Sequence, residues 1–427
     1  MKLYKYPKTT TWSTILKRPT SDLSELEPTV STILGQIKLE GDIAVKRFTK
    51  KFDQVDIDNL EVSESEIQIA VERIDEELKT AIKAAKDNIE KFHAAQRQEV
   101  LSVETMAGVR CWRKSVPIQK VGLYIPGGTA PLFSTVLMLA VPAKIAGCQE
   151  IVLCTPPQKD GTINPVILYT AQLVGITKIF KIGGVQAIGA MAYGTASVPK
   201  VYKIFGPGNQ YVTVAKQLIN KEGLAIDMPA GPSEVLVVAD HTALPAFVAA
   251  DLLSQAEHGI DSQVVLVAFE EAFVQNVQQA IEEQLTALPR KEIAKAALDN
   301  SCAIIVKNRQ TALDLINEYA PEHLIISLEN TMDFANQIIN AGSVFLGNYT
   351  PESIGDYASG TNHTLPTNGF AKAYSGVSLD AFVKKITYQE ITKAGLQRIG
   401  PIVEKMAVAE QLVAHKQAVS IRLETLK

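Results

Sequence analysis

Residues 121–157, VGLYIPGGTAPLFSTVLMLAVPAKIAGCQEIVLCTPP, decide the fold. An apolar strand at 121–125 precedes a helical stretch at 131–146, and a second apolar strand follows at 150–154. The residues that stop these elements are Pro126, Gly127, Gly128, Gly147, Pro156 and Pro157. Strands that alternate with helices predict a parallel sheet covered by helices on both faces. The unbroken apolar run IVLC favours this α/β class, because the strands of such sheets are buried on both sides.

The same alternation continues towards the C-terminus and predicts two α/β units. In the first unit, the further predicted strands are 177–182 and 201–205, and the further helices are 165–174, 185–193 and 209–220. In the second unit, the predicted strands are 234–239, 263–269, 303–306, 324–327 and 343–346, and the helices are 244–257, 271–285, 311–319 and 332–340. The two units are alike in architecture only, so we infer no internal repeat.

The segments that flank the units have a different pattern. Residues 66–97 place apolar side chains at steps of three and four, which predicts one long amphipathic helix. Residues 349–378 are rich in Gly, Ser, Thr, Asn and Pro, and long irregular stretches are usually functional or disordered. From Leu379 onwards the pattern is helical with little core of its own, so this tail must dock on another surface, such as a second subunit.

Composition excludes several classes of protein. The 427-residue chain has 42 Lys and Arg against 46 Asp and Glu, and this near-balance argues against a dedicated nucleic-acid-binding protein. Its best apolar run, 136–143, is stopped by Lys144, far short of the roughly 18 residues of a membrane-spanning helix. The N-terminus has no apolar signal-peptide region, so we expect a cytoplasmic protein.

The cysteines indicate a reducing compartment. Cys111, Cys148, Cys154 and Cys302 show no CxxC spacing, which predicts reduced and mostly buried thiols. A nucleophilic thiol for aldehyde chemistry is conceivable at Cys148 or Cys154, but nothing nearby in the sequence lowers a thiol pKa.

Four of the six histidines are candidates for chemistry, since they lie among polar or acidic residues. The other two, His93 and His241, are interpreted as solvated or capping residues. Gln255 and His258 lie three residues apart at the end of a predicted helix, so they share a face and can bind one metal ion. The alternative for His258 is a C-terminal histidine stabilised by the helix dipole.

Glu322 and His323 stand side by side before an apolar strand. A carboxylate beside an imidazole suits acid–base catalysis near neutral pH. The alternative is an ordinary helix-to-strand turn.

Further candidate ligands lie near the C-terminus. The irregular stretch carries Asp356 and His363, and the tail carries Glu410 and His415, although a surface position is the alternative for His415. One glutamine, one aspartate and two histidines can form a mixed nitrogen and oxygen site of the kind that zinc accepts. The sequence has no HExxH motif, which argues against a metalloprotease of that type.

Three turns have the form of phosphate-binding turns. YIPGGTAP at 124–131, GGVQA at 183–187 and FGPGNQYV at 205–212 each follow a strand and open a helix, where backbone N–H groups can bind a phosphate. None is GxGxxG, so a dinucleotide is plausible without the usual Rossmann contacts.

These strings taken together resemble the histidinol dehydrogenase family. The matching strings, in the family's order over about residues 25 to 425, are VGLYIPGGTAPLFSTVLMLAVPAKIAGC, GGVQAIGAMAYGT, KIFGPGNQYV, DMPAGPSEVLV, DLLSQAEHG, YAPEHL and GDYASGTNHTLPT. The resemblance implies oxidation of L-histidinol to L-histidine, in the last steps of histidine biosynthesis. It also implies two NAD used in turn, a bound aldehyde intermediate, one zinc ion per subunit, and a homodimer with an exchanged tail.

The resemblance also implies roles for single residues. The zinc ligands are Gln255, His258, Asp356 and His415, with His415 supplied by the partner subunit. The acid–base pair is Glu322 and His323. The substrate contacts are Ser233, His363 and Glu410, together with the zinc ligands and His323. The residues along the NAD are Tyr124, Gln186 and Asn209.

The expected division of the chain has four parts, with two incomplete Rossmann-like domains at its centre. They are an N-terminal segment at 1–20, a discontinuous α/β domain at 21–120 and 235–378, an NAD-binding α/β domain at 121–234, and an exchanged helical tail at 379–427. Two alternatives to this function remain at this point. One is a non-catalytic NAD- or metal-binding regulatory protein, and the other is a dehydrogenase for a different amino alcohol or a sulfonate-bearing alcohol.

Overall fold

The structure is a computed structural model that describes residues 1–19, 23–127, 131–228 and 231–426. Gly128, one of the predicted stop residues, lies outside the described residues. The strands are β1 (Lys2–Lys5), β2 (Leu101–Met106), β3 (Val109–Pro117), β4 (Lys120–Tyr124), β5 (Glu150–Thr155), β6 (Lys178–Lys181), β7 (Lys203–Phe205), β8 (Ala225–Ile226), β9 (Glu234–Ala239), β10 (Gln263–Ala268), β11 (Cys302–Ile305), β12 (His323–Ser327), β13 (Ser343–Leu346) and β14 (Val383–Ile391).

Helices connect and cover these strands. They are α1 (Trp12–Ile15), α2 (Glu27–Glu40), α3 (Asp42–Phe52), α4 (Glu64–Glu72), α5 (Glu76–Ala94), α6 (Phe133–Ala146), α7 (Pro165–Leu173), α8 (Gly184–Tyr193), α9 (Gln210–Lys221), α10 (Pro245–Ala256), α11 (Glu271–Leu285), α12 (Lys291–Asp299), α13 (Arg309–Tyr319), α14 (Thr331–Ala335), α15 (Glu352–Tyr357), α16 (Lys393–Ala409) and α17 (Val413–Glu424). Short 3₁₀ turns lie at Thr9–Thr11, Leu23–Leu26, Phe370–Lys372 and Leu379–Phe382.

Two parallel sheets form the centre of the molecule, as the alternating pattern predicts. The first has five strands in the order β6-β5-β4-β7-β8, and the second has six in the order β1-β11-β10-β9-β12-β13. Successive strand residues point to opposite faces, so each sheet has two apolar faces. Helices cover all of these faces and form four buried clusters. The α/β class with two parallel-sheet units is confirmed.

The N-terminal segment belongs to the six-stranded sheet. β1 pairs in parallel with β11, with Lys2 opposite Cys302, and Trp12 and Leu16 are buried in the core on one face of that sheet. The expected separate segment at 1–20 therefore becomes an edge strand and a short helix of this unit, because its apolar side chains match that face.

The helices between residues 27 and 94 pack on the five-stranded sheet. α2 and α3 bury apolar side chains against one face of it, and α4 and α5 bury theirs against the other. The expected division placed 21–120 with 235–378, and the packing differs from that division. An amphipathic pattern shows which face of a helix is buried, but it does not show which sheet buries it.

Two expected helical stretches differ in the structure. The helix predicted at 66–97 is two helices, because Asp75 caps α5 by accepting a hydrogen bond from the Leu78 amide at 2.8 Å. The tail begins with a strand rather than a helix: β14 pairs antiparallel with β3, and β2 pairs on the other side of β3. A stacked pair of rings, Trp112 and Tyr388 at 5.3 Å, joins β3 to β14.

The two histidines interpreted as solvated or capping residues have different environments. His93, interpreted from the sequence as solvated, is fully buried, and its Nδ1 donates to the Ile89 carbonyl at 2.9 Å. His241 is exposed, as expected.

In the described part of the chain, no helix has the length and apolar character needed to cross a bilayer.

A buried ion pair closes the turn after β7 and gives a test of the fold. Lys216 on α9 forms an ion pair with Asp227, and both side chains are buried. Lys216 also donates to the Gly206 carbonyl at 2.9 Å, and Asp227 accepts from the Gly206 amide at 2.8 Å. The pair thus fixes the backbone between β7 and α9.

We expect Lys216→Met to lower the free energy of unfolding by about 3–5 kcal/mol, because it leaves the Asp227 carboxylate buried without a cation. Lys221→Met is the control on the same helix, since Lys221 forms an exposed pair with Glu27, and we expect a cost below about 1 kcal/mol. Urea unfolding of both variants measures the difference. Equal costs for the two would contradict the role given to the buried pair.

Candidate active site

The expected acid–base pair lies at the amino-terminal end of β12. Parallel pairing sets His323 opposite Val235, which places the start of β12 beside Glu234, the first residue of β9. The Glu234 amide donates to Glu322 Oε2 at 2.8 Å, and His323 Nδ1 donates to the Glu234 carbonyl oxygen at 3.1 Å. The backbone of one residue therefore holds both side chains of the pair.

These contacts fix the tautomer of His323. A carbonyl oxygen only accepts, so Nδ1 carries the proton and Nε2 is the basic atom of the neutral ring. Nε2 lies 3.3 Å from Asp356 Oδ1, and Nδ1 lies 3.5 Å from Glu322 Oε2. Burial lowers the pKa of an imidazole, but the charge of Glu322 and the nearby Asp356 carboxylate outweigh it and raise the pKa of His323 well above its ordinary value. The surroundings therefore stabilise the imidazolium that forms when Nε2 takes a proton.

The two carboxylates beside His323 have different environments. Glu322 is buried, and burial raises its pKa above the ordinary value although His323 opposes the shift. Burial alone would raise the pKa of Asp356 as well. The imidazoles of His323, His363 and His258 outweigh this effect and hold the pKa of Asp356 below its ordinary range. Asp356 is therefore a carboxylate at neutral pH, whereas Glu322 accepts a proton more readily than an exposed glutamate.

Gln255 lies at the end of α10 with its amide among acceptor atoms. One terminal atom of the amide lies 2.9 Å from Glu352 Oε1 and 3.3 Å from His258 Nδ1. If this atom is the amide nitrogen, it donates to Glu352 Oε1 and to His258 Nδ1. If it is the amide oxygen, three acceptor atoms lie close together: this oxygen, Glu352 Oε1 and His258 Nδ1. In the second orientation the amide nitrogen lies 3.4 Å from Glu322 Oε2. A bound cation would satisfy the three acceptor atoms that meet when the amide oxygen faces Glu352 and His258.

Glu352 is a buried acid that the sequence analysis missed. It is 1% exposed, accepts a hydrogen bond from Ser254 Oγ at 2.7 Å, and has a pKa raised to about 8 by burial. It lies four residues before Asp356 on α15, so the two share a helical face. The spacing of four residues from Asp356 is the signal by which Glu352 could have been found in the sequence.

His363 joins the irregular stretch to the five-stranded unit. Its Nδ1 donates to the Asp356 carbonyl at 2.8 Å, and its Nε2 lies 3.1 Å from Thr135 Oγ1 in the first turn of α6. Burial lowers the pKa of His363, so the ring is neutral at pH 7. The stretch predicted as irregular therefore brings Asp356 and His363 together, with α15 inside it.

The two tail residues lie apart from this cluster in the single chain. Glu410 and His415 are exposed, and no hydrogen bond or ion pair of the described residues connects them to the cluster. His258 is also exposed, and burial of its surroundings holds its pKa below the ordinary value. Within the described ranges, no three His, Cys, Asp or Glu side chains are placed to hold a metal ion. The single chain thus brings Gln255 and Asp356 together with Glu322 and His323, but it does not bring His415.

The residues expected along NAD lie at the carboxyl ends of strands of the five-stranded sheet. Tyr124 ends β4, and its hydroxyl accepts from the Gly184 amide at 3.1 Å. Gln186, on the first turn of α8, donates to Asp53 Oδ2 at 3.0 Å. Asn209 caps α9, with its side chain accepting from two backbone amides. Asp53 is a further acid that sequence reasoning missed, and burial raises its pKa to about 6.

Ser233 and the cysteines complete the set of sequence candidates. Ser233 directly precedes Glu234, and its carbonyl accepts from the Gln263 amide at 3.1 Å. All four cysteines are free thiols, and all but Cys111 are buried, as expected. Burial raises the pKa of Cys148 to about 11 and the pKa of Cys154 still further, which argues against a nucleophilic thiol at either position.

Comparisons with known proteins show which family the chain belongs to. A family model described as histidinol dehydrogenase matches residues 16–423. The chain is 62% identical over 427 residues to a histidinol dehydrogenase of Bacteroides thetaiotaomicron, covering all of both chains. It is 52% identical over 415 residues to one from Yersinia pestis, covering 96% of this chain and 93% of the relative.

A solved structure gives the same result for the fold. The crystal structure of histidinol dehydrogenase from Elizabethkingia anophelis superposes with a TM-score of 0.98 at 56% identity, covering 100% of this chain and 98% of that chain. The match extends over both sheets, the N-terminal helices and the tail. The chain belongs to the histidinol dehydrogenase family.

Proposed function

We propose that this chain oxidises L-histidinol to L-histidine in two successive two-electron steps, with L-histidinaldehyde bound between them. The observation that carries this proposal is the buried pair of Glu322 and His323, held by the backbone of Glu234 beside a fixed Asp356. A non-catalytic regulatory protein has no need of a buried acid–base pair whose tautomer is fixed. A dehydrogenase for another alcohol is separated from this proposal by turnover with histidinol.

In the first oxidation, the neutral form of His323 acts as the general base. Its Nε2 takes the proton of the substrate hydroxyl while the carbon gives up a hydride. NAD, when bound, supplies the nicotinamide ring that accepts this hydride. The imidazolium that results is stabilised by Glu322 and Asp356, which lie at its two nitrogen atoms.

In the second oxidation, Glu322 is the base for water. Its raised pKa makes its carboxylate a stronger base than an exposed glutamate, and this suits removal of a proton from water as the oxygen adds to the aldehyde carbon. The imidazolium of His323 gives its proton to the aldehyde oxygen as the hydrate forms, which leaves Nε2 free. The hydrate then has a hydroxyl that can lose its proton to Nε2 of His323 while the carbon gives up a second hydride. The same cofactor position thus serves both steps.

A zinc ion fits the donor set of the site. The residues that would hold it are Gln255, His258 and Asp356, together with His415 of the partner subunit. Supporting observations are the converging acceptors around the Gln255 amide and the buried Asp356 Oδ1, which has no hydrogen-bond partner. Held there, zinc would supply a Lewis acid for the imidazole and amine of histidinol, and these residues would thereby orient the side arm of the substrate. Ser233, His363 and the partner subunit's Glu410 complete the substrate contacts in this proposal.

We assign NAD binding to the five-stranded unit, in accord with the expected domain at 121–234. Tyr124, Gln186 and Asn209 lie at the carboxyl ends of its strands, the usual ligand-binding edge of a parallel sheet. Thr135 at the start of α6 contacts His363, so this edge opens towards the acid–base pair. A cytoplasmic location stays a prediction from the sequence.

The division of work between the two catalytic residues can be tested by separate half-reactions. We expect His323→Asn to slow alcohol oxidation by about 10²–10⁴-fold, the usual contribution of a positioned general base. Glu322→Gln is expected to slow aldehyde oxidation more than alcohol oxidation, because only the second step needs a base for water. Assays started from histidinol and from histidinaldehyde measure the two steps, and equal losses in both would refute the division.

The metal proposal makes a prediction about chelation and pH. Dialysis against a strong chelator should remove zinc and turnover together, and added zinc should restore both. The packed surroundings of His258 hold its pKa below the ordinary value, so the ring is neutral at pH 7, and metal should be lost at lower pH as protons compete for the ring. Metal analysis across the pH range measures this, and an active preparation without bound metal would contradict it.

The exchanged tail can be tested with two inactive variants. Glu410 and His415 are exposed, and apolar side chains of the tail such as Ile402 and Met406 are exposed as well. One chain carries His323→Asn and the other carries His415→Asn. With free exchange and equal mixing, about half of the dimers are mixed, and each mixed dimer has one site with both lesions and one with neither.

Roughly a quarter of all sites should then be active, by the symmetry of the closed dimer. Activity of the mixture relative to wild type measures this fraction. Each parent variant, taken through the same exchange alone, is the control. If the tail serves its own chain, every site carries one lesion, and mixing restores no activity.

A further inference from the structure

The N-terminal segment brings a buried cation to the acid–base pair. Arg18 follows α1, and its side chain is 14% exposed. Its Nε donates to Glu234 Oε1 at 2.5 Å and its Nη2 donates to Glu234 Oε2 at 2.8 Å, a bidentate pair. The Glu234 side chain is only 3% exposed, so both charges are shielded from solvent. Ion pairs of this kind fix the relative orientation of the two groups as well as their separation.

Arg18 also contacts the turn that leads to the pair. Its Nη2 donates to the Tyr319 carbonyl at 2.7 Å, and the guanidinium lies 4.0 Å from the centre of the Tyr319 ring. The next residue, Ala320, has a φ of 52°, in the left-handed region that a residue with a side chain rarely adopts. The guanidinium therefore holds the carbonyl of α13 just before the chain reverses into Glu322 and His323.

Glu234 connects Arg18 to the acid–base pair through its own backbone. Its amide holds the Glu322 carboxylate and its carbonyl holds Nδ1 of His323. Its side chain accepts a further hydrogen bond from the Asn368 amide at 2.6 Å. A shift of Glu234 would thus move both of the groups that exchange protons with substrate.

We propose that Arg18 and Glu234 are positioning residues for this reaction: the buried ion pair sets the places of Glu322 and His323 through the backbone of Glu234 and through the turn at Tyr319 and Ala320. The inference rests on the proposed acid–base roles of Glu322 and His323. It gives a function to a segment for which the sequence suggested none. Neither residue touches the reacting atoms.

A merely structural ion pair and a positioning pair differ in what they change. Loss of a structural pair lowers the fraction of folded sites, but every site that folds reacts at the normal rate. Loss of a positioning pair slows the reaction within each folded site, because misplacement of about 1 Å can cost as much as 10²-fold in rate. A single-turnover experiment separates the two, since its amplitude counts active sites and its rate constant reports the chemistry.

The experiment uses the full-length zinc-loaded enzyme with Arg18→Met, Arg18→Lys and the control Ile304→Ala. Ile304 is buried in β11 of the same sheet, in the same apolar cluster as Tyr319, so its truncation destabilises this unit without removing the ion pair of Arg18. NADH formation is followed with excess enzyme, with histidinol that carries hydrogen or deuterium on the carbinol carbon. Bound zinc, the melting temperature and the KM for NAD are measured in parallel.

For Arg18→Met we expect the rate constant of the first hydride transfer to fall by about 10–100-fold, with a deuterium isotope effect on it. Zinc content and the KM for NAD should stay within about twofold of wild type. Arg18→Lys should recover part of the rate, because an ammonium keeps the charge but not the two-pronged contact. Ile304→Ala should lower the melting temperature and leave the rate constant unchanged.

A normal rate constant with a reduced amplitude in Arg18→Met would overturn the proposal and leave only a structural role. If Arg18→Met does not fold, Glu234→Gln tests the same link, because it keeps the shape and removes the charge, and a normal rate constant there has the same meaning. Failure of the proposed function is a separate result. It would appear as undiminished hydride transfer in His323→Asn, whatever Arg18→Met does.

Discussion

The parallel pairing of β9 with β12 is the constraint on which the site depends. Its register sets His323 opposite Val235 and therefore brings the amide and carbonyl of Glu234 to the two side chains of the acid–base pair. Pairing that slips by one residue turns every side chain of a strand to the other face of the sheet. In this sheet such a slip would remove both contacts at once. The core packing that fixes the register thus also fixes the tautomer of His323.

Burial then decides how the charges of the site behave. Burial in a medium of low polarity disfavours the charged form of a carboxylate, and the pKa of Glu352 at about 8 and the raised pKa of Glu322 follow from this. The pKa of Asp356 is instead lowered, because imidazoles surround this carboxylate. One site therefore contains acids whose pKa is raised beside one whose pKa is lowered. In the proposed function, that contrast separates Asp356, a ligand and charge stabiliser, from Glu322, a base for water.

The sequence predicted the parts of the fold whose pattern is local. Continuous apolar strands and their breaking residues gave both parallel sheets, and β9 and β13 have the predicted bounds. Pairing between distant segments is not predictable in this way: the sequence pattern predicts a helix where β14 lies, because its partner, β3, is far away in sequence. The acid–base pair could be found because its members are adjacent. Arg18 was missed because its partner Glu234 is 216 residues away, although a carboxylate that opens a wholly apolar strand has to find a cation.

The candidate site residues lie at opposite ends of the strands in the two sheets. The acid–base pair lies at the amino-terminal ends of strands in the six-stranded sheet, whereas Tyr124 lies at the carboxyl end of a strand in the five-stranded sheet. The stretch at 358–368 spans the gap, with Asn88 donating to the Ala358 carbonyl at 2.9 Å and Asn362 donating to the Met138 carbonyl at 2.6 Å. These contacts join helices of one unit to a loop of the other. In the proposed function, the five-stranded unit binds NAD and the six-stranded unit carries the acid–base pair, so a motion of one sheet against the other would change the distance over which hydride passes. The proposed reaction therefore depends on the loop contacts at 358–368, because the reacting groups must be held at a fixed separation.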